Sequence, residues 1–211
     1  MLLIEDLQVK LGEREVLRHI DLQINPGETH ILFGPNGSGK TSLLMTIMGY
    51  PQYRVTAGKI TFKGVDVTNA PINERAKLGI GMSYQRPPTV NGLKTKQMVQ
   101  ICGGDRKVDT EGMAARMNFT DFLERDINAG FSGGEIKRSE LLQLMAQEPD
   151  LLLFDEPESG VDLENISLIG STISKLLQRD FQTQPGKTQV QRKKERTKMG
   201  LIITHTGFIL D

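Results

Sequence analysis

Short apolar runs separated by turn signals make up the beginning of the chain. Leu2 to Val9 and Val16 to Ile24 are two such runs, with Gly12 between them and Asn25-Pro26-Gly27 after the second. A third run, Thr29 to Phe33, leads directly into a glycine-rich stretch. Apolar runs of this length, bounded by glycine and proline, are typical of β-strands joined by tight turns. The pattern therefore predicts three strands before the glycine-rich stretch.

Further along, the pattern predicts a sheet covered by helices. Leu151 to Phe154 and Leu201 to Thr204 are short, nearly continuous apolar runs, as in parallel strands that are buried on both faces. Leu163 to Leu177 lies between them and predicts a crossover helix, so we expect a right-handed strand-helix-strand unit. Thr41 to Met48, directly after the glycine-rich stretch, predicts a helix that packs on the sheet. The predicted fold class is α/β.

Two segments depart from this pattern. Residues from about 85 to 147 are rich in Met, glycine and polar residues and show no convincing strand, which predicts a small helical subdomain inserted between core strands. Residues 182 to 198 are polar and basic, which is typical of a solvated loop or helix extension. Whether this basic segment also has a task is left open by the sequence.

The length and charge of the chain limit its class. It has 211 residues, of which 37% are hydrophobic, and this is enough for one sizeable domain or one domain with a small subdomain. Lys and Arg together number 26, as do Asp and Glu, so the formal net charge is zero. Because no overall field attracts polyanions, we expect neither a nucleic-acid partner nor charge-driven binding to an anionic membrane.

We expect a cytoplasmic location. The N-terminus lacks the basic segment and long apolar stretch of a signal peptide, and the single cysteine, Cys102, cannot form an internal disulfide. No run approaches the roughly 18 consecutive apolar residues of a membrane span. Direct membrane insertion is therefore not expected, and work at a membrane would require another subunit.

The glycine-rich stretch carries a nucleotide-binding motif. Gly34-Pro35-Asn36-Gly37-Ser38-Gly39-Lys40-Thr41 matches G-x-x-x-x-G-K-[ST] in the required context, after a strand and before a helix. Such a backbone turns its N–H groups and the positive helix N-terminus toward phosphates. We expect Lys40 to bind the β- and γ-phosphates, Thr41 to bind Mg²⁺, and the adjacent Ser42 to contact the nucleotide. The predicted ligands are ATP and Mg²⁺.

An acidic pair supplies the second half of this chemistry. Asp155 and Glu156 end the apolar run Leu151 to Phe154. Asp155 is placed to hold Mg²⁺ through water, and Glu156 to orient or deprotonate the attacking water. Adjacent carboxylates alone are often only a solvated strand end, but together with the phosphate-binding loop they are a strong signal.

Four further motifs complete a series. Phe131-Ser132-Gly133-Gly134-Glu135 precedes the helical stretch Ile136 to Gln147 and, taken alone, is as much a helix cap as a site. Gln85 follows an apolar stretch, and His205 follows the predicted strand that ends at Thr204. Ser159-Gly160-Val161-Asp162 follows the acidic pair. Six motifs therefore follow one another as loop, glutamine, S-G-G, acidic pair, S-G-x-D and histidine.

This order resembles the nucleotide-binding subunit of the ABC ATPase family along essentially the whole chain. The resemblance implies a P-loop NTPase fold with a mixed or parallel sheet, an N-terminal antiparallel β part and an inserted helical subdomain. It implies a single domain over residues 1–211. A RecA-like core would comprise residues 1–84 and 148–211, and the helical subdomain with the signature motif would span about residues 85–147.

The family pattern also assigns roles to matching residues. It implies an ATP-binding Walker A loop at Gly34 to Thr41, a catalytic Q-loop glutamine at Gln85, a Walker B aspartate at Asp155, a catalytic Glu156 and a switch histidine at His205. Mg²⁺ would be held by Thr41, Gln85 and Asp155. The signature residues Ser132, Gly133, Gly134 and Glu135 would contact ATP on a partner subunit in a head-to-tail homodimer, and Ser159-Gly160-Val161-Asp162 would be the D-loop.

Within the family, the chain resembles the SufC subfamily, ATPases of the Suf iron-sulfur cluster assembly system. The resemblance rests on Asp-Glu-Pro-Glu-Ser-Gly-Val-Asp and on Phe-Ser-Gly-Gly-Glu-Ile-Lys-Arg-Ser-Glu. It implies SufB- and SufD-like scaffold partners that dock near Gln85 to Val99. Four methionines are candidates for that docking surface, with a place in the ordinary core as the alternative: Met82, Met98, Met113 and Met117.

Departures keep an alternative open, namely the ATP-binding subunit of a membrane transporter. Pro157 is the transporter-like choice, and the helical segment is short. Lys10-Leu11-Gly12 lacks the aromatic residue that stacks on adenine in many family members, so base selectivity stays open. The chain ends at Asp211, soon after His205, as either a compact variant or an incomplete chain. A nucleotide-binding module without catalysis is disfavoured by the acidic pair, Lys40 and His205.

Overall fold

The computed structural model describes residues 1–179, 191 and 195–204. In chain order, the strands are β1 (Leu2–Leu11), β2 (Arg14–Ile24), β3 (Thr29–Leu32), β4 (Tyr53–Phe62), β5 (Val65–Asp66), β6 (Ile80–Ser83), β7 (Val90–Lys94), β8 (Asp126–Ile127), β9 (Leu151–Asp155) and β10 (Met199–Ile203). The α-helices are α1 (Lys40–Met48), α2 (Ile72–Leu78), α3 (Thr95–Gly103), α4 (Thr110–Arg116), α5 (Gly133–Gln147) and α6 (Leu163–Leu176). A short 3₁₀-helix spans Thr120–Phe122.

The N-terminal part forms an antiparallel sheet with the strand order β2-β1-β4-β5. A turn at Gly12 pairs Leu11 with Arg14, as the first two apolar runs predict. Register shifts interrupt β1 after Ile4, and Gly58 of β4 packs so closely there that a Cβ would lie 2.3 Å from the Asp6 carbonyl oxygen. Glycine is therefore required at this irregularity, since any side chain would collide with the backbone of β1.

The central sheet is parallel, with the strand order β3-β10-β9-β6. Alternate residues of β9 point to different cores: Leu151 and Leu153 join one cluster of buried residues, while Leu152 and Phe154 join another. The first core lies against β1, β4 and α1, and the second against α5 and α6. Burial on both faces explains the continuous apolar runs. The predicted α/β class is confirmed.

The predicted crossover is present. β9 and β10 are paired in parallel and are connected through α6, in agreement with the expected strand-helix-strand unit. The helix expected at Thr41 to Met48 is α1, which begins at Lys40. The basic segment at residues 182 to 198 lies mostly outside the described residues.

One expectation for the middle of the chain is wrong, because the stretch from residue 85 to 147 does contain strands. β7 and β8 form a two-stranded antiparallel sheet, held by an ion pair between Lys94 and Asp126 at 2.7 Å. The Gly92 N–H also donates to Asp126 at 2.9 Å. These pairings are between residues about 30 positions apart in a polar sequence, so periodicity does not reveal them.

We keep the division into a core and a helical subdomain as a proposal. Helices α3, α4 and α5 all lie within residues 85–147. Their core nevertheless includes Leu152 and Phe154 of β9 and Ile202 of β10. The helical segment is thus packed directly on the central sheet.

Within the described part of the chain, no helix is both long and apolar enough to cross a lipid bilayer.

A buried arginine ties the end of α1 to α2. Arg75 is 3% exposed, and its guanidinium donates at 2.8 Å to the carbonyl oxygens of Thr46 and Ile47 in the last turn of α1. It also donates to the carbonyls of Ala70 and Thr68. Burial lowers the pKa of Arg75 to about 10, so it remains charged at neutral pH. A cation at this position complements the negative end of the helix.

We expect Arg75→Met to lower the free energy of unfolding by about 3 kcal/mol, because several buried carbonyl groups lose their donor. Urea denaturation measures this change. Lys77→Met, an exposed position on the same helix, is the matched control and should change stability by less than about 0.5 kcal/mol. Equal effects of the two substitutions would contradict the capping role of Arg75.

Candidate functional site

The phosphate-binding motif forms the loop between β3 and α1. Gly37 and Gly39 adopt φ values of 81° and 94°, in the left-handed region that favours glycine. At Gly39, the N-cap of α1, a Cβ would also lie 3.0 Å from the Val16 carbonyl oxygen. The Lys40 ammonium donates to the carbonyls of Gly34 at 2.7 Å and Pro35 at 3.0 Å. The lysine therefore lies across the loop.

A cavity of about 540 Å³ opens beside this loop. Its volume is within the range of about 300 to 1,000 Å³ that is usual for small-molecule sites. The lining residues come from the N-terminal hairpin, the loop with α1, and the ends of β6 and β9: Leu11, Arg14, Glu15, Val16, Asn36, Gly37, Gly39, Lys40, Thr41, Ser42, Gln85 and Glu156. Ser38 does not line the cavity; its N–H donates to Pro35 within the loop. The cavity thus joins three of the predicted motifs.

Asp155 is held at the end of β9, directly beneath the loop. It is 1% exposed, and its Oδ1 accepts a hydrogen bond from the Thr41 hydroxyl at 3.2 Å. Its Oδ2 is buried and has no hydrogen-bond partner among the described residues. Burial raises the pKa of Asp155, and the hydrogen bond from Thr41 partly opposes that rise. An unpartnered buried oxygen beside a hydroxyl group fits a hard cation such as Mg²⁺, which prefers oxygen ligands.

Gln85 and Glu156 meet across the same edge of the sheet. Gln85 follows β6 and Glu156 follows β9, and these two strands are parallel neighbours. The Gln85 side-chain amide donates to Glu156 Oε2 at 2.7 Å. Glu156 has a φ of 48°, which is uncommon for a residue with a Cβ, and its N–H donates to the Ile203 carbonyl at 3.0 Å. A strained conformation held by the surrounding backbone is typical of functional positions.

The S-G-G motif caps α5. The Ser132 hydroxyl accepts from the Glu135 N–H at 3.4 Å, and the Glu135 carboxylate accepts from the Ser132 N–H at 2.7 Å. This reciprocal pair is a capping box, which satisfies N–H groups at the start of the helix. A Cβ on Gly133 would lie only 2.0 Å from the Gly160 carbonyl oxygen, so the motif packs against the S-G-x-D turn of the same chain.

The S-G-x-D turn connects β9 to α6. The Ser159 N–H donates to the Glu156 carbonyl at 3.0 Å. Asp162 is the N-cap of α6 and accepts from the Asn165 N–H at 2.9 Å; this backbone hydrogen bond, with one from the Asn165 side chain, lowers the pKa of Asp162. The turn therefore links the acidic pair to the S-G-G motif.

The structure does not bring all the predicted residues together. None of the signature residues lines the cavity beside the phosphate-binding loop, whereas Gln85 and Glu156 do. His205 lies outside the described residues. A single chain consequently presents the loop with its acidic pair at one place and the S-G-G motif at another.

Sequence reasoning missed several residues of the site. Arg14, Glu15 and Val16 line the cavity because the hairpin pairs Arg14 with Leu11, and this pairing is the signal that could have found them. Sequence reasoning also missed the burial of Lys137 and Glu140 on α5, which lie outside this cavity.

The four methionines do not form one surface. Met82 and Met98 line a cavity of about 190 Å³ near Tyr84. Met113 and Met117 line another, of about 410 Å³, near Thr172. Met82 and Met117 are also buried core residues. Only the first pair lies at the groove that follows Gln85.

Comparisons with known proteins agree with this arrangement. A family model described as ABC transporter matches residues 17–159. "Probable ATP-dependent transporter ycf16" of Cyanidium caldarium is 35% identical, covering 100% of this chain and 82% of that protein. "Probable ATP-dependent transporter SufC" of Escherichia coli is 35% identical, covering 83% of this chain and 77% of that protein. A solved dimeric ATP-binding cassette bound to ADP and phosphate has a TM-score of 0.77 at 20% identity, covering 99% of this chain and 90% of that one.

The contact between Gly133 and Gly160 generates a prediction. Alanine normally stabilises a helix by up to about 1 kcal/mol relative to glycine, but at Gly133 the added methyl group would collide with a backbone carbonyl. We expect Gly133→Ala to destabilise the protein by about 2 kcal/mol in urea denaturation. At Gly134 a Cβ would meet only the Asn165 side chain at 3.2 Å, so Gly134→Ala is the control and should be tolerated within about 1 kcal/mol. A stabilising effect of Gly133→Ala would rule out the close packing.

Proposed function

We propose a specific role for this chain, which belongs to the ABC transporter family and is an ATPase. It hydrolyses Mg-ATP in order to change the conformation of a Suf-type scaffold for iron-sulfur cluster assembly. The site at Thr41 and Asp155 supports the chemistry, because a buried carboxylate oxygen without a partner stands next to the phosphate-binding loop. The stretch Glu158-Ser159-Gly160-Val161-Asp162 and the similarity to the Escherichia coli relative support the Suf assignment.

ATP would bind with its phosphates on the loop at the N-terminus of α1. The Lys40 ammonium would exchange the carbonyls of Gly34 and Pro35 for the β- and γ-phosphate oxygens. Thr41, Asp155 and Gln85 would hold Mg²⁺, which neutralises phosphate charge when bound. The positive end of α1 adds to this attraction.

Glu156 is the proposed general base. Its carboxylate lines the cavity beside the loop, where it can orient a water molecule and accept its proton. The Gln85 amide holds one of its oxygens and so limits its rotation. His205 is proposed to assist from the end of β10.

The base of the nucleotide would meet an aliphatic surface with a guanidinium beside it. Leu11 and Val16 line the cavity, and Arg14 can stack its planar guanidinium on a base. None of the described cavity-lining residues is aromatic. Because stacking on aliphatic groups discriminates little between bases, we expect weak base selectivity.

A second copy of the chain would complete the site. The Ser132 hydroxyl, the N–H groups of Gly133 and Gly134, and the N-terminus of α5 would approach the γ-phosphate bound by the partner. Since the signature residues lie outside the cavity of their own chain, a head-to-tail homodimer provides what one chain lacks. ATP would bridge the two copies, and its hydrolysis would release them.

The proposed docking surface for SufB- and SufD-like scaffold proteins is the groove after Gln85. A cavity of about 190 Å³ lies there, lined on one side by Tyr84, Pro87 and Pro88 and on the other by Met98 and Cys102 of α3. Met and Pro side chains offer an adaptable apolar surface. A scaffold bound between the core and the helical segment would be displaced by any relative movement of the two.

The base assignment predicts a trapped dimer. Glu156→Gln keeps the shape of the side chain but cannot accept a proton, so ATP should bind and remain uncleaved. We expect this variant to run as a dimer with Mg-ATP and as a monomer without nucleotide, as measured by light scattering after size exclusion. Lys40→Ala in the same background is the control and should remain monomeric with ATP, because it loses phosphate binding. A monomeric Glu156→Gln variant would refute the assignment.

The partner is tested separately. The tagged chain, purified from its native cells without detergent, should co-elute with scaffold proteins that are identified by mass spectrometry. The Lys40→Ala chain serves as a control for folding and nucleotide dependence. Recovery only in detergent and only with a polytopic membrane protein would instead favour the transporter alternative, which is supported by Pro157 and by the word transporter in the names of both relatives.

A further inference from the structure

Two oppositely charged side chains are buried together on α5. Lys137 is 2% exposed and Glu140 is 5% exposed, and Lys137 Nζ lies 3.2 Å from Glu140 Oε2. Removing charges from water costs several kcal/mol per ion in effective terms, and a buried pair is rarely better than an apolar one for stability. The proposed binding and catalytic roles use neither residue. Stability alone therefore gives little reason to bury these two charges.

Both charges bind the backbone immediately before Gln85. The Lys137 ammonium donates to the Tyr84 carbonyl, which belongs to the peptide group that joins Tyr84 to Gln85. Glu140 accepts from the Tyr84 N–H at 2.7 Å and from the Ser83 hydroxyl at 3.0 Å. Both peptide groups that flank Tyr84 are thus attached to α5 by charge-assisted hydrogen bonds, which are the stronger kind.

Gln85 links this attachment to Glu156 of the acidic pair. Gln85, which follows the held peptide group, donates its side-chain amide to Glu156 Oε2 at 2.7 Å. At its other end, α5 begins at Ser132 and the two signature glycines. One 15-residue helix therefore connects the S-G-G motif to the residue that orients Glu156.

We propose that Lys137 and Glu140 are positioning residues that transmit the displacement of the signature helix to Gln85 and, through it, to Glu156. The inference rests on the proposed dimer, in which the start of α5 meets the nucleotide of the partner. When that contact moves α5, the two charges carry the Tyr84–Gln85 peptide group with them. The Gln85 amide then changes its hold on Glu156, and the carboxylate turns toward the attacking water. Hydrolysis in the site of one chain thereby depends on the S-G-G motif of that same chain meeting the nucleotide bound by its partner.

A second attachment of α5 to the same strand provides a control. Gln147, in the last turn of α5, donates its side-chain amide to the Ile80 carbonyl at 3.1 Å. Ile80 is the first residue of β6, at the end away from Gln85. Gln147→Met breaks this attachment without touching the peptide group that precedes Gln85.

The main test replaces the buried pair with apolar residues of similar size, Lys137→Met with Glu140→Leu. The replacement removes two buried charges but also leaves the Ser83 hydroxyl and the peptide groups that flank Tyr84 without partners, so we expect a lowered urea midpoint and a protein that is still folded under assay conditions. We expect kcat for ATP hydrolysis to fall by about tenfold or more, with KM for ATP within about twofold of the original value. The Gln147→Met control should retain its kcat. A folded double variant with the original kcat would overturn the proposal.

A milder variant decides the question if the double variant fails to fold. Glu140→Asp keeps the charge beside Lys137 but withdraws the carboxylate from the Tyr84 N–H by one methylene. We expect a urea midpoint that is lowered by less than in the double variant, an unchanged KM for ATP and a kcat reduced by at least about threefold, since misplacements near 1 Å reduce rates strongly. Original kcat in this variant would overturn the proposal.

Failure of this inference is distinguishable from failure of the proposed function. In the Glu156→Gln background, the apolar pair should still allow the ATP-dependent dimer, because nucleotide binding is unaffected. If Glu156→Gln alone forms no dimer with ATP, the proposed function fails. If that dimer forms while kcat is insensitive to both changes at the pair, only the positioning role fails.

Discussion

Parallel pairing around β9 sets the position of nearly every group in the site. Ile203 lies opposite both Leu32 and Asp155, and Ser83 lies opposite Phe154. Because parallel strands end at a common edge, the phosphate-binding loop, Gln85 and the acidic pair emerge side by side. A register shift of one residue would turn Asp155 away from Thr41 and move each apolar residue of β9 into the opposite core. Such a shift costs free energy because β9 is packed between two cores, one on each face.

Two features at this edge of the sheet lower the stability of the fold. Asp155 carries a buried oxygen without a partner among the described residues, and Glu156 is held in a left-handed conformation. Each costs free energy that the apolar packing on both faces of the sheet offsets. Such departures from local stability are where function is expected, since a site must keep groups ready for a ligand.

The helical segment differs from the sheet in how it is held. Its contact with the core uses charges at Lys137 and Glu140 as well as apolar residues, and its own small sheet is held partly by Lys94 and Asp126. Directional polar contacts transmit a displacement to particular atoms, whereas apolar packing distributes it. The segment is therefore suited to link the S-G-G motif at the start of α5 with the edge of the central sheet.

Local patterns of apolar runs and glycines are enough to predict the α/β class, the central strands, α1, the crossover through α6 and the identity of the loop and acidic residues. The remaining features arise from contacts that form when the chain folds. The strands β7 and β8, the placement of Arg14 at the cavity and the burial of Lys137 all depend on residues far apart in the chain. Lys137 is the clearest case: a lysine in a polar stretch is normally exposed, and only the packing of α5 against β6 turns it inward to the Tyr84 carbonyl.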